Sequence, residues 1–426
     1  MMKKYVKGFL FAVLITLVLA GCGNGDENGN DQAGDSEAEA VELTLFSSVT
    51  NESDQAIFEE VIERFEEEND HIQIDYNFPT SEYESMMRVR MGADDMPDLF
   101  DTHGWAVNRY GDYTMDLRDM DWVDNLDPSL EPIITDDDGK VYAYPMNQAN
   151  DGLTYNVGIL EEYDIDVPET FDELMDALRE IRDQSDGEVT PLWFPGSDRY
   201  SLGYFLDIMS TPLLVTHEDH DYSEELKAGE YGWDEYTYLP EKLLQMQEED
   251  LLNVDVLTAQ THEQTQLFAQ DKIGFVMGTL PVDSIHELNE DIELGIMPVP
   301  PIHDGGEKSW IGGERFTLAV AQNSDHPEEA KQFIEFLAQP DIAQKVAEGT
   351  NLPSGLENVS AEIYYQDFYE EYDDVIVEPY FDREFLPSGM WDVYGETAQE
   401  LLSGRMTPEE VTEQMAAEYN RLYDEE

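Results

Sequence analysis

Short apolar runs with strand character alternate with amphipathic helical segments from Val41 almost to the end of this 426-residue chain, and that alternation restricts it to an α/β fold. "VELTLFSS" (41–48) reads as a strand, after which Ile57, Val61, Ile62 and Phe65 recur at helical spacing. "IQIDYNF" (72–78) supplies a second strand. "SEYESMMRVRMGADDMPDLFD" (81–101) gives a helix, a turn and a buried strand over Asp98 to Asp101. "DGKVYAYPMN" (138–147) is a turn and strand closed by Pro145. Pro168-Glu169-Thr170 opens a helix, with Thr170 as N-cap and Glu173 three residues on, the spacing of a capping box. Later strands are "KIGFVMG" (272–278), "ELGIMPVP" (293–300) and "FTLAVA" (316–321), the last followed by the helix "HPEEAKQFIEFLAQ" (326–339). No internal repeat is evident.

Before this pattern begins, Lys3, Lys4 and Lys7 precede a nearly unbroken apolar run from Phe9 to Ala20. That run is short of the about 20 apolar residues a membrane helix needs. The order of charged, apolar and small-residue regions is that of a signal peptide (1–21) rather than of an uncleaved membrane helix. Leu19-Ala20-Gly21-Cys22 resembles a bacterial lipobox, so cleavage is expected before Cys22, the chain's only cysteine, with a lipid on that residue. A lone thiol excludes an intrachain disulfide. Residues 22–40 are acidic and lack apolar surface to offset the entropy of ordering, which predicts a flexible tether. The remainder, from Val41, is longer than one core usually serves, so two lobes are expected.

Lys and Arg number 22 against 97 Asp and Glu, a formal net charge of −75, and loss of the three signal lysines makes it more negative still. Nucleic acid is thereby excluded as a partner. Such self-repulsion is easiest to carry where salt screens it, since the Debye length falls from about 10 Å at 0.1 M to about 3 Å at 1 M; a halophilic, saline habitat is expected, the plainer alternative being an acidic surface that aids solubility. Raising NaCl toward the molar range should therefore raise the melting temperature, and a flat or falling trend would remove the argument.

Other chemistry is weakly signalled. "HEDHDYSEE" (217–225) sets His217 and His220 beside carboxylates, yet it reads as a solvated loop and no metal is expected. "DDDGK" (136–140) lacks the alternating ligands and twelfth-position Glu of a calcium loop. No P-loop, nucleophile elbow or His-Glu-x-x-His motif is present. In so acidic a chain, carboxylate pairs do not argue for a glycosidase.

Six segments in sequence carry a resemblance. They are "GADDMPDLF", "GKVYAYP", "LTYNVGILEEYDIDVPETFDELMDAL", "LFAQDKIGFVMGTLP", "GIMPVPPIHDGGEKSWIGGERFTLAVAQNSDHPEEAKQFIEFL" and "MWDVYGETAQELLSGRMTPEEV". Together they resemble the family 1 extracellular solute-binding proteins of ABC importers, the group that includes maltose-binding protein. The resemblance implies a two-lobe, periplasmic-binding-protein-like fold of type II with a hinge between the lobes. It implies a first lobe of 41–146 plus 316–385 and a second of 147–315 plus 386–426. It further implies a carbohydrate ligand, the transmembrane subunits of an ABC permease as partners, a monomer, no cofactor and no enzymatic activity. With the lipobox, the expected location is the extracellular face of the cytoplasmic membrane, held by a lipid anchor.

Within that frame Trp391 is the leading sugar platform, because its spacing to Ser403-Gly404-Arg405 and Thr407 is similar to that around a sugar-stacking Trp of the family; packing of the C-terminal helix is the alternative. Trp310 with Gly312 and Gly313 precede the strand "FTLAV", where family members bring a glycine-rich loop to the cleft. Asp101 and Trp105 follow a strand's carboxyl end, where ligands of α/β sheets gather. Ser47, Ser48, Asn147, Trp193 and Tyr200 occupy comparable edges. Where many relatives carry Trp, this chain reads Gly278-Thr279-Leu280, so one platform is expected to be missing. Two further function classes stay open: a receptor for a non-sugar solute such as a metal chelate or peptide, and an extracellular hydrolase.

Overall fold

The computed structural model describes residues 40–424 except 50, 51, 80–82, 103, 105, 108 and 137. The signal peptide, nearly all of the tether, Cys22 and Trp105 lie outside the described residues. Among the described residues, β1 (Val41–Phe46), β2 (Ile72–Asn77), β3 (Leu99–Phe100) and β4 (Tyr144–Pro145) come first. They are followed by β5 (Gln148–Asp151), β6 (Leu153–Asn156), β7 (Thr190–Leu192), β8 (Ile273–Met277) and β9 (Leu294–Met297), then β10 (Trp310–Glu314), β11 (Thr317–Val320) and β12 (Val377–Pro379).

The first sheet has the order β2-β1-β3-β11-β4. β1 buries Val41, Leu43 and Leu45 on alternate positions and exposes Glu42, the period of a strand. It pairs in parallel with both β2 and β3, and β11 enters antiparallel between β3 and β4. A strand from beyond residue 316 thus completes a sheet begun at residue 41, so the chain leaves this lobe and returns. The second sheet, β7-β8-β6-β9, is drawn wholly from the intervening stretch. A third, β12-β10-β5, holds the two strands, β5 and β10, on segments that run between the other two, with β12 added along β10.

Each large sheet has its own core. Against the first, Phe65 of the helix Glu52–Glu68 meets Phe333 and Phe336 edge-on, at ring centroids 4.9 and 5.3 Å apart. Full burial of a ring like this contributes about 1.5–3 kcal/mol. Against the second, the helix Phe171–Gln184 buries Leu174, Leu178 and Ile181 on one stripe. Its start is half the expected capping box: Thr170 accepts from the Glu173 N–H, but the Glu173 carboxylate reaches back to the N–H of Glu169, one residue earlier than predicted. The Pro408–Tyr423 helix, by contrast, closes both halves, between Thr407 and Glu410.

The segment expected to stay with the first lobe as far as residue 385 divides its apolar side chains between cores. Leu352 and Leu356 are the last fully buried apolar residues in the first lobe's core. Tyr365 packs with Ile273, Leu294 and Trp310, and Tyr380, Phe381 and Phe385 with Phe205 and Tyr394. From Tyr364 to Phe385 the clustered apolar side chains pack in the cores of the second sheet rather than of the first.

Candidate functional site

The helices Arg199–Leu214 and Met390–Leu402 cross at two glycines: a Cβ on Gly203 would stand 2.8 Å from the Gly395 nitrogen. Only the missing side chains permit this approach. It brings Trp391 beside Tyr200 and Tyr204. The Trp391 and Tyr200 rings are parallel within 6° at 6.1 Å between centroids, and Tyr204 meets Trp391 edge-on at 6.5 Å. Tyr200 is held there by its hydroxyl, which donates to Asp392 Oδ1 at 2.8 Å. Arg199 donates to the same oxygen at 2.8 Å and to Glu396 at 2.9 Å.

These rings form one wall of a cleft of about 600 Å³. Trp193 and Phe194, just past the carboxyl end of β7, continue that wall; Ser48, Asp54 and Phe316 of the first lobe face it. The floor comes from the crossing segments. Asp151, nearly buried at the end of β5, accepts hydrogen bonds from the hydroxyls of Tyr204 and Tyr380, both at 2.5 Å. Arg315, between β10 and β11, is half-buried beside them. Burial opposes its charge, but Tyr380, Asp151 and Tyr204 hold it protonated above the usual guanidinium range. Burial pushes the Asp54 carboxyl up to about 6 against the attraction of Arg315, and burial together with Asp151 raises the Tyr204 phenol. The cleft therefore offers flat apolar ring faces next to fixed charged donors and acceptors. Sugars present C–H faces and rings of hydroxyls, and this combination meets both.

Of the residues singled out in the sequence, Trp391, Tyr200, Trp193 and Ser48 line the cleft. The others described do not, and each is occupied in the fold. Trp310 is 2% exposed and packs edge-on against Tyr369 and Tyr372. Gly312 and Gly313 serve strand pairing: a Cβ on Gly312 would lie 1.8 Å from the Ala149 carbonyl oxygen, and Gly313 has φ +115°. Asp101 is buried, with Oδ1 accepting from Thr317 (N 3.1 Å, Oγ1 2.8 Å) and Oδ2 from the Ser48 hydroxyl (2.5 Å). It pins the ends of β1, β3 and β11. Asn147 is buried between the Phe316 N–H and the Thr350 hydroxyl, 3.0 Å from each. Ser47 is 2% exposed and its hydroxyl faces the Val49 N–H.

Sequence reasoning missed Asp54, Asp151, Tyr204, Arg315, Tyr380 and Asp382, all on the cleft surface. One signal pointed to Arg315: a scarce cation in an acidic chain, set directly between two strands. Thr279 does face the cleft, in the place where a Trp platform was expected to be missing.

Glu314, next to Arg315 in β10, is 1% exposed and its Oε1 has no hydrogen-bond partner among the described residues. Burial lifts its carboxyl to about 7, against the pull of Arg383. The folded-state value exceeds the unfolded one, so the stabilising contribution is complete below about 4.5 and is lost as pH rises through about 7, on the order of 3 kcal/mol. Glu314→Gln should erase that part of the pH slope and stabilise the protein above pH 7. Urea unfolding of both proteins at pH 5 and pH 8 checks this; an equal loss of stability in the two would place the slope elsewhere.

Two α/β lobes joined by crossing strands around such a cleft define a type II periplasmic-binding-protein-like fold. Residues 50–344 match the model for bacterial extracellular solute-binding proteins, and the chain belongs to that family. It is 47% identical over 418 residues to the melibiose/raffinose/stachyose-binding protein MelE of Bacillus subtilis (strain 168), spanning 98% of this chain and 96% of MelE. The structure is similar to that of a sugar transporter from Bacillus licheniformis in complex with stachyose, with TM-score 0.86, 52% identity, and coverage of 89% of this chain and 100% of that one. It is equally similar to a Bacillus subtilis binding protein in an open conformation, with TM-score 0.86, 46% identity, and coverage of 91% and 98%. Among the described residues, no helix is long and apolar enough to cross a membrane.

Proposed function

We propose that this protein captures an oligosaccharide of the melibiose, raffinose and stachyose kind between its lobes and delivers it to the membrane subunits of an ABC importer, without catalysing a reaction. The observation that carries this is the cleft itself, with the Tyr200 and Trp391 ring faces beside the Asp151–Arg315 floor. The ligands named for the two Bacillus relatives, each about half identical to this chain, support the choice of sugar. Trp391 and Tyr200 supply the stacking faces; Ser48, Asp54 and Arg315 bind hydroxyls from the other lobe and the floor.

The crossing strands β5 and β10, with β12 paired along β10, act as the hinge, and the open form of one relative supports a closing motion that the permease reads. The first lobe is 41–146 with 316 to Leu356, and the rest, from 147, forms the second. Calorimetric titration with stachyose, raffinose and melibiose should show saturable one-to-one binding for at least one of them. Silence with all three, alongside binding of a peptide or a metal chelate, would overturn the sugar reading.

A lipid on Cys22 holds the protein at the outer face of the cytoplasmic membrane. Cys22→Ser should release it into the medium unlabelled by radioactive fatty acid. A membrane-bound, lipid-labelled product would refute the anchor.

A further inference from the structure

One buried carboxyl of the second lobe has no part in the cleft surface, yet it holds a segment that does. Tyr200, Tyr204 and Asp207 stand at i, i+4 and i+7 along the helix Arg199–Leu214, which puts them on one face. The two tyrosines line the cleft, whereas Asp207, 0% exposed, lies outside its lining. Its Oδ1 accepts the Asp382 N–H at 2.8 Å, across 175 positions of sequence. We propose that Asp207 is a positioning residue for the oligosaccharide site: by accepting that N–H it fixes the backbone that presents Tyr380, Asp382 and Arg383 to the cleft. The role rests on the sugar-capture reading above.

Asp382 is the second residue of the short helix Phe381–Phe385, and the N–H groups of a helix's first turn have no partner within the helix. Tyr380, at the N-cap position, offers no side-chain cap. The place is dry as well, since Phe381 is 0% and Asp382 8% exposed. Asp207 supplies the missing cap from another helix. A buried donor left without an acceptor is unfavourable, so without Asp207 the segment would shift to bring this N–H to water in the cleft.

That shift would disturb three side chains at once. Tyr380 donates its hydroxyl to Asp151 at 2.5 Å, and the Arg383 guanidinium lies over the Tyr380 ring, 4.1 Å from its centroid. Asp382, between them in sequence, lines the cleft with both. Moving the Asp382 backbone therefore displaces a floor tyrosine, a cation and a carboxyl together, and a binding site tolerates little displacement of its polar groups.

Packing alone does not call for a carboxyl here. Burial disfavours its charged form and the Asp382 carboxyl adds repulsion, so Asp207 is held well above the usual carboxylate range, with the Asp382 N–H and Arg383 pulling the other way. Tyr236 of the 3-10 turn Asp234–Thr237 and Tyr394 of the helix Met390–Leu402 also face it; burial raises both phenols, and Asp207 adds to it. Asp207 Oδ2 makes no hydrogen bond among the described residues. With the proton there, Oδ1 still accepts as a carbonyl oxygen. Asparagine has that shape and that acceptor; leucine has much the same shape and no acceptor.

The test compares Asp207→Asn with Asp207→Leu. Calorimetric titration with stachyose should find Asp207→Asn within about threefold of the unmodified protein and Asp207→Leu weakened about tenfold or more, the scale of one buried donor left unpaired. Melting temperature is the fold control, and Asp207→Ala carries the comparison if Asp207→Leu does not fold. Amide hydrogen exchange over 380–385 in the unliganded protein, which needs no sugar, should quicken in Asp207→Leu and not in Asp207→Asn. Unchanged affinity and exchange in Asp207→Leu overturn the proposal, and so does an Asp207→Asn protein as impaired as Asp207→Leu. If the unmodified protein ignores stachyose, raffinose and melibiose, the function proposed above fails, and the exchange comparison by itself decides whether Asp207 fixes the segment.

Discussion

Arg315→Ala should abolish measurable oligosaccharide capture and lower stability by about 3 kcal/mol, the lower end of the cost of stripping one partner from a buried charge pair. The lower end applies because Arg315 is half-buried and water shares the screening. Its guanidinium balances Asp151, which is 4% exposed and already accepts from two tyrosines. Without the cation, Asp151 is left as an uncompensated buried charge and Asp54 loses the attraction of Arg315. Adding Asp151→Asn to Arg315→Ala should recover part of the stability, since the charge that needed balancing is gone. Binding should stay lost, since the hydroxyl donors and acceptors of the floor are gone as well. Urea unfolding measures the first quantity and calorimetry the second, and Asp151→Asn alone completes a double-mutant cycle of four proteins. If Arg315→Ala keeps both its stability and its sugar affinity, the floor is not the polar half of the site.

The contrast between Arg315 and Trp310 shows what a sequence can and cannot reveal here. Strands such as β1, β8 and β11 are legible because a strand's apolar content is local, and the two-lobe plan follows from their order. Trp310 beside two glycines looks like a ligand platform, but Tyr369 and Tyr372 arrive from a distant segment to bury it. The glycines themselves look like loop residues and are strand residues: β5 packs against Gly312 too closely for a Cβ, and Gly313 takes a positive φ. Asp101 sits where ligands gather, but its carboxylate is consumed by Thr317, more than two hundred positions later. The same long reach hid the cleft floor, since Asp151, Tyr204, Arg315 and Tyr380 form no local motif.

Trp391→Ala is expected to weaken oligosaccharide binding by roughly tenfold to a hundredfold. A flat indole against sugar C–H groups contributes about 1 to 3 kcal/mol by analogy with burial of an aromatic side chain, and each 1.4 kcal/mol is a factor of ten. Trp391 has a second role, which any test must separate from the first. It is partly buried, lies parallel to Tyr200 and meets Tyr204 edge-on, so its removal also loosens the wall. Trp391→Phe keeps a ring in the wall with a smaller face, and should lose less affinity than Trp391→Ala while melting close to the unmodified protein. A packing role alone predicts that affinity falls only in step with melting temperature across the two variants. A stacking role predicts a large loss of affinity in Trp391→Ala, with Tyr200, still tethered to Asp392, keeping the helix crossing intact. Tryptophan fluorescence of the unmodified protein should change on sugar addition, and most of that change should vanish in Trp391→Ala. Unaltered affinity in Trp391→Ala, or a fluorescence response that persists without this side chain, would assign the ring to the core and end its role as a sugar platform.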